Sequence, residues 1–210
     1  GGYRAETALP TVVRDVVLGR LQQLGEAERQ LIGVIAVAGE ASTGDVLRTV
    51  FDDPEALTNL IVEGLVTERG SGRDLAYRVA HPLYAEVAYA EMTLGERRKL
   101  HAAVLAAVEK ADPDDVLTLA PHYREAGSLA DPRRAVEVMA DAGWRALSVR
   151  ATDEAIKYLE AAVDQASPEN SPTLLDGLGR AYMNTGELDK ATAAWTRGVT
   201  LAQQLSQEQA

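Results

Sequence analysis

The sequence predicts a mainly α-helical protein in two parts, and three observations carry that reading. Apolar residues recur at helical spacing through most of the 210 residues. One stretch, residues 65–80, instead shows two short apolar runs on either side of Gly-Ser-Gly, the mark of a β-hairpin. The last third repeats itself: DEAIKYLEAAV (153–163) is similar to DKATAAWTRGV (189–199), with Ala155 against Ala191, Leu159 against Trp195 and Ala162 against Gly198.

The elements follow in order. PTVVRDVVLGRLQQL (10–24) places Val13, Val16, Val17, Leu21 and Leu24 on one face of a helix that Pro10 opens. GEAERQLIGVIAVAG (25–39) is a second, more apolar helix, closed by Gly39. Thr43 caps a short helix, GDVLRTVF. Asp53-Pro54-Glu55 starts a fourth, PEALTNLIVEGL, which ends near Gly64. In the hairpin, Leu65, Val66 and Thr67 precede the turn, and Leu75, Tyr77 and Val79 alternate after it. Its loop, RGSGRD, is mildly basic in an acidic chain. Pro82 opens a helix over PLYAEVAYAEM, and another runs from Leu94 to Ala111. Four helices, a two-stranded hairpin and a helix are the order of a winged-helix unit with additions. The joint ADPDDV (111–116) separates this first domain, 1–111, from a second, 112–210.

Everything after the joint reads as helix: about 115–127, 132–149, 152–166, 171–184 and 187–205. Leu175, Leu178 and Tyr182 form a stripe at i, i+3 and i+7, and Gly186 follows where a helix stops. Ala191, Trp195 and Gly198 continue on a second helix, where small residues at 179, 191 and 198 let two backbones approach. Two-helix repeats near 34 residues are the tetratricopeptide type. The unit at 175–198 fits that pattern, whereas the one before it is degraded: Arg150 stands where the turn glycine belongs and Ala146 replaces the aromatic. HYREAGSLADPRRAVEVMADAG (122–143) is a still more irregular unit. Because about three repeats are needed to bury a continuous core, the array is expected to continue past Ala210, and the chain is expected to be a piece of a longer one.

Composition excludes several functions. With 21 basic and 32 acidic residues, the net charge of −11 opposes general polyanion binding, which needs clustered Lys and Arg. There are no cysteines, hence no disulfide framework and no thiolate metal site. The longest apolar run, LIGVIAVAG (31–39), falls short of the roughly 20 residues of a membrane span. A soluble cytoplasmic protein is expected. No Gly-Lys dipeptide occurs, so there is no P-loop, and no serine lies in a Gly-x-Ser-x-Gly elbow. His81, His101 and His122 lack metal-ligand spacing. No catalytic residue, no metal ligand and no enzyme activity is expected of this chain.

LPTVVRDVVLGRL, YRVAHPLYAEVAYAEM and the repeat at 175–198 together resemble the segment after the ATPase core in bacterial STAND regulators. These are signal-transduction ATPases that include the large ATP-binding LuxR-type and AfsR-like transcription regulators. The resemblance runs from Ala8 to about Leu205. It implies an upstream nucleotide-binding domain that holds ATP or ADP, with no cofactor on the present chain. It also implies a winged helix that contacts that ATPase domain, and helical repeats that bind an inducer or a protein partner. In related animal and plant members a Met-His-Asp motif at this junction puts its His on the phosphates of ADP. Here the letters are Ala80-His81-Pro82, which keep the His and lose its neighbours. His81 therefore has two open roles, a nucleotide sensor or a structural residue at a helix start.

The expected function is a non-catalytic regulatory and sensor arm. Its partner-binding face on the repeats would include Trp144, Arg180 and Asn184, with core packing as the competing role for Trp144. The alternative is a DNA-binding winged helix joined to a protein-interaction module. Direct DNA binding is disfavoured because the recognition-helix candidate PEALTNLIVEGL carries no Arg or Lys; Arg48 precedes it, and Arg69 and Arg73 flank the wing.

Overall fold

The computed structural model describes residues 11–72 and 75–208. It is mainly helical with one small sheet, and it divides into two compact units between Ala107 and Val108. The division falls inside a helix, a few residues before the Pro- and Asp-rich joint. Pro10 and Arg73 lie outside the described residues.

The first unit opens with α1 (Thr11–Gln22), α2 (Glu26–Ala38), α3 (Gly44–Val50) and α4 (Pro54–Val62). Two starts follow their capping chemistry: Thr43 Oγ1 accepts the Val46 amide, and Asp53 Oδ1 accepts the Ala56 amide at 2.9 Å. The hairpin consists of β1 (Val66–Arg69) and β2 (Ala76–Val79), antiparallel with Val66 opposite Val79. A third segment joins its edge: the Tyr77 amide donates to Ser42 O at 2.8 Å and the Gly44 amide to Leu75 O at 3.0 Å. The sheet is thus tied to the start of α3, which the composition of residues 40–50 gives no sign of. Then come α5 (Pro82–Glu91) and α6 (Leu94–Ala111).

The core of this unit gathers Val17 and Leu21 of α1, Leu31, Ile32 and Ile35 of α2, Leu60 of α4, Val66, Val79 and Val87. One expectation fails here. Val16, placed with Val17 on the buried face of α1, is 69% exposed. Residues 17, 21 and 24 already fill the face at i, i+4 and i+7, and Val16 is turned about 100° away from Val17.

The second unit contains the end of α6, then α7 (Val116–Ala126), α8 (Pro132–Ser148), α9 (Thr152–Gln165), α10 (Ser171–Thr185) and α11 (Leu188–Glu208). Glu109 near the end of α6 accepts from Tyr123 Oη of α7 at 2.7 Å and from Arg134 Nε of α8 at 3.2 Å. Burial, and then this bond to Glu109, push the Tyr123 hydroxyl well above its ordinary range.

α8–α9 and α10–α11 are two helical hairpins that repeat each other in detail. Arg150 and Gly186 occupy equivalent turn positions and share a left-handed backbone, with φ of 60° and 80°. Arg150 is the single non-glycine among the described residues with positive φ. The closing bonds match as well: the Ala151 amide reaches Ala146 O at 2.9 Å, and the Glu187 amide reaches Tyr182 O at 2.9 Å. The turn geometry has outlived the glycine that favours it.

Close approach within each hairpin rests on one further pair of glycines. A methyl group on Gly143 would lie 2.7 Å from Leu159 Cγ, and one on Gly179 would overlap the Trp195 indole. Between hairpins, Ala181 of α10 packs on Ala146 and Ala155. Tyr182 Oη, also on α10, donates to the Glu160 carboxylate of α9. Burial first, then that bond, raise the Tyr182 hydroxyl well above its ordinary value of 10.0.

Gly179→Ala is expected to destabilise the protein by about 1–3 kcal/mol, the usual cost of overpacking. Gly19→Ala, where no atom lies within 4 Å of the added methyl, is expected to stabilise it by about 0.5–1 kcal/mol through helix propensity. Urea unfolding followed by far-UV circular dichroism distinguishes the two signs.

The raised Tyr182 hydroxyl gives a pH dependence of stability. Above pH 10 the unfolded chain loses the Tyr182 proton while the folded chain keeps it, so this stabilising contribution is present below pH 10 and falls away as pH rises. Tyr182→Phe is expected to flatten the alkaline limb of thermal stability measured from pH 9 to 11. An unchanged limb would show that the hydroxyl is not held in this way.

Candidate functional site

The residues singled out on the repeats come from two neighbouring helices. Trp144 lies on α8, and its ring crosses to α10, where a methyl group on Gly177 would sit 2.8 Å from the far edge of the indole. Gly177 is buried and has no turn to make; its lack of a side chain is what admits the ring. The indole is half-buried, so packing against α10 and a surface role coexist in the same side chain. The packing role is what the contact with Gly177 shows.

Arg180 follows Gly177 at i+3 and Asn184 at i+7, which continues one stripe along α10. Both are exposed. Arg180 pairs with Asp176 at 2.8 Å, one turn earlier on its own helix. The same carboxylate accepts from Trp195 Nε1 at 3.2 Å. Asp176 therefore holds the indole of α11 with one oxygen and the guanidinium with the other. Exposed i, i+4 ion pairs of this kind contribute only about 0.3–0.5 kcal/mol, so Arg180 is positioned rather than neutralised into the core. Trp144 reaches Gly177 from α8, and Arg180 lies one turn on from that glycine along α10. Asp176 and Gly177 are the members that the sequence pattern did not single out. A glycine inside a helix and without a stop to make was the available signal for the second.

His81 belongs to the first unit. It is exposed and occupies the N-cap of α5, where its Nδ1 accepts the Leu83 amide at 3.2 Å. An imidazole that accepts at Nδ1 carries its neutral-form proton on Nε2 and donates from there. The two roles considered for His81 thus use different nitrogens and do not exclude each other. The other histidines are enclosed: His101 is buried with Nε2 at 3.1 Å from Tyr89 Oη, and His122 is buried on α7. Among the described residues no group of three His, Cys, Asp or Glu could hold a metal ion. Among them, too, no helix is long and apolar enough to cross a membrane.

Among the described residues α4 carries no cation, and the arginines of α3 and the wing are Arg48, Arg69 and Arg78, the last paired with Glu40. Pro54, Glu55, Thr58, Asn59, Val62, Glu63 and Gly64 are the exposed residues along and just after α4, and Asn59 donates to Glu28 at 3.0 Å. Arg48 is paired with Asp45, and Arg69 closes β1.

A tetratricopeptide-repeat family model matches residues 146–204. The matched range takes in the end of α8, all of α9 and α10 and most of α11, and it leaves out the irregular unit at 122–143. No curated protein and no solved structure matches the chain. Residues 146–204 are thus similar to tetratricopeptide repeats, which typically mediate protein–protein interaction.

Trp144 reports directly on the pocket at Gly177. In a Trp195→Phe background, Gly177→Ala is expected to lift the Trp144 ring off α10 and shift its fluorescence emission to the red. Unchanged emission would mean that the ring does not rest on the glycine.

Proposed function

We propose that this chain is the non-catalytic regulatory and sensor arm of a STAND-type signal-transduction ATPase of the transcription-regulator kind. The first unit contacts the nucleotide-binding domain of the full-length protein. The repeats bind an inducer or a protein partner across Trp144, Arg180 and Asn184. The observation that carries this reading is the order of parts: a winged-helix unit followed by tetratricopeptide repeats, with an exposed histidine at the start of α5.

His81 suits a nucleotide held by the neighbouring domain. Nδ1 is already used by the Leu83 amide, so Nε2 is the nitrogen left to donate to a phosphate oxygen. The chemistry of ATP itself belongs to the domain that binds it. The role of this chain is to stabilise one state of that domain, and a ligand on the repeats acts by binding the two states with different affinity.

The DNA-reading alternative loses support from the exposed face of α4, which offers two carboxylates and no cation. Titration of the chain against labelled random-sequence duplex DNA at low salt tests it. No saturable anisotropy change at tens of micromolar is expected. Saturation that weakens steeply with salt would replace the regulatory-arm reading with a DNA-binding one.

In the full-length protein, His81→Ala is expected to reduce the ADP retained through purification, whereas Trp144→Ala is expected to leave it unchanged and to abolish the response to the partner. A full-length protein without a P-loop would overturn the proposal.

A further inference from the structure

We draw no further inference here: the strongest candidate, the apolar groove of about 590 Å³ that runs between α1, α2, the end of α3, α5 and the start of α6 in the first unit, carries three carboxylates, Glu26, Glu91 and Glu96, against two cations, Arg29 and Lys99, on its rim, and nothing in the structure shows what fills it.

Discussion

The second unit depends on the close approach of paired helices at a recurring glycine. Gly143 faces Leu159 in one hairpin, and Gly179 faces Trp195 in the next. In each pair the large residue occupies the volume that the glycine gives up. Leucine in one hairpin and tryptophan in the other show that the requirement is on the small partner, while the large one varies with the space available. Interiors at crystal-like density tolerate such exchange only when the backbone positions are kept. The left-handed turns at Arg150 and Gly186 keep them. Arg150 bears the steric cost that Gly186 avoids, and the two closing bonds around it hold the same loop.

Much of this architecture was legible because the signals are local. Pro, Gly and capping residues marked helix ends: Thr43 and Asp53 cap as their chemistry suggests, and Gly186 stops α10 in a left-handed turn. The repeat was legible because identical spacings recur. What escaped is non-local. The pairing of Ser42 and Gly44 with the edge of β2 depends on where α3 is carried in space, which no window of sequence contains. Val16 was misplaced because the buried face of α1 is narrow, and pattern alone does not say which of two adjacent valines it takes.

On the repeats, the helical pattern singles out Trp144, Arg180 and Asn184 as surface candidates but not what supports them. Gly177 beneath the indole follows only from which helix packs on which, and Asp176 ties Arg180 to Trp195 only because α11 packs on α10. For the apolar groove of the first unit there was no sequence signal at all, because its walls are drawn from five separate elements. His81 shows the opposite case. Its position at a helix start was plain, and the structure adds which nitrogen is committed. That single bond separates a capping role from a donor role on one ring.

The hydrogen bond from Tyr182 to Glu160 ties one hairpin to the next. Together with Ala181 on Ala146 and Ala155, it makes the interface between hairpins part of the stability of each. In a linear array of this kind, stability is a sum of unit terms and nearest-neighbour terms. α11 packs on α10, and α10 in turn covers α9. Removal of α11 uncovers Gly179 and takes Trp195 away from Asp176, and removal of α10 then strips Glu160 of its donor. Each hairpin therefore draws part of its stability from the one it packs against. A partner that bridges α8 and α10 would act as a cross-brace, adding a second tie between hairpins that already share one.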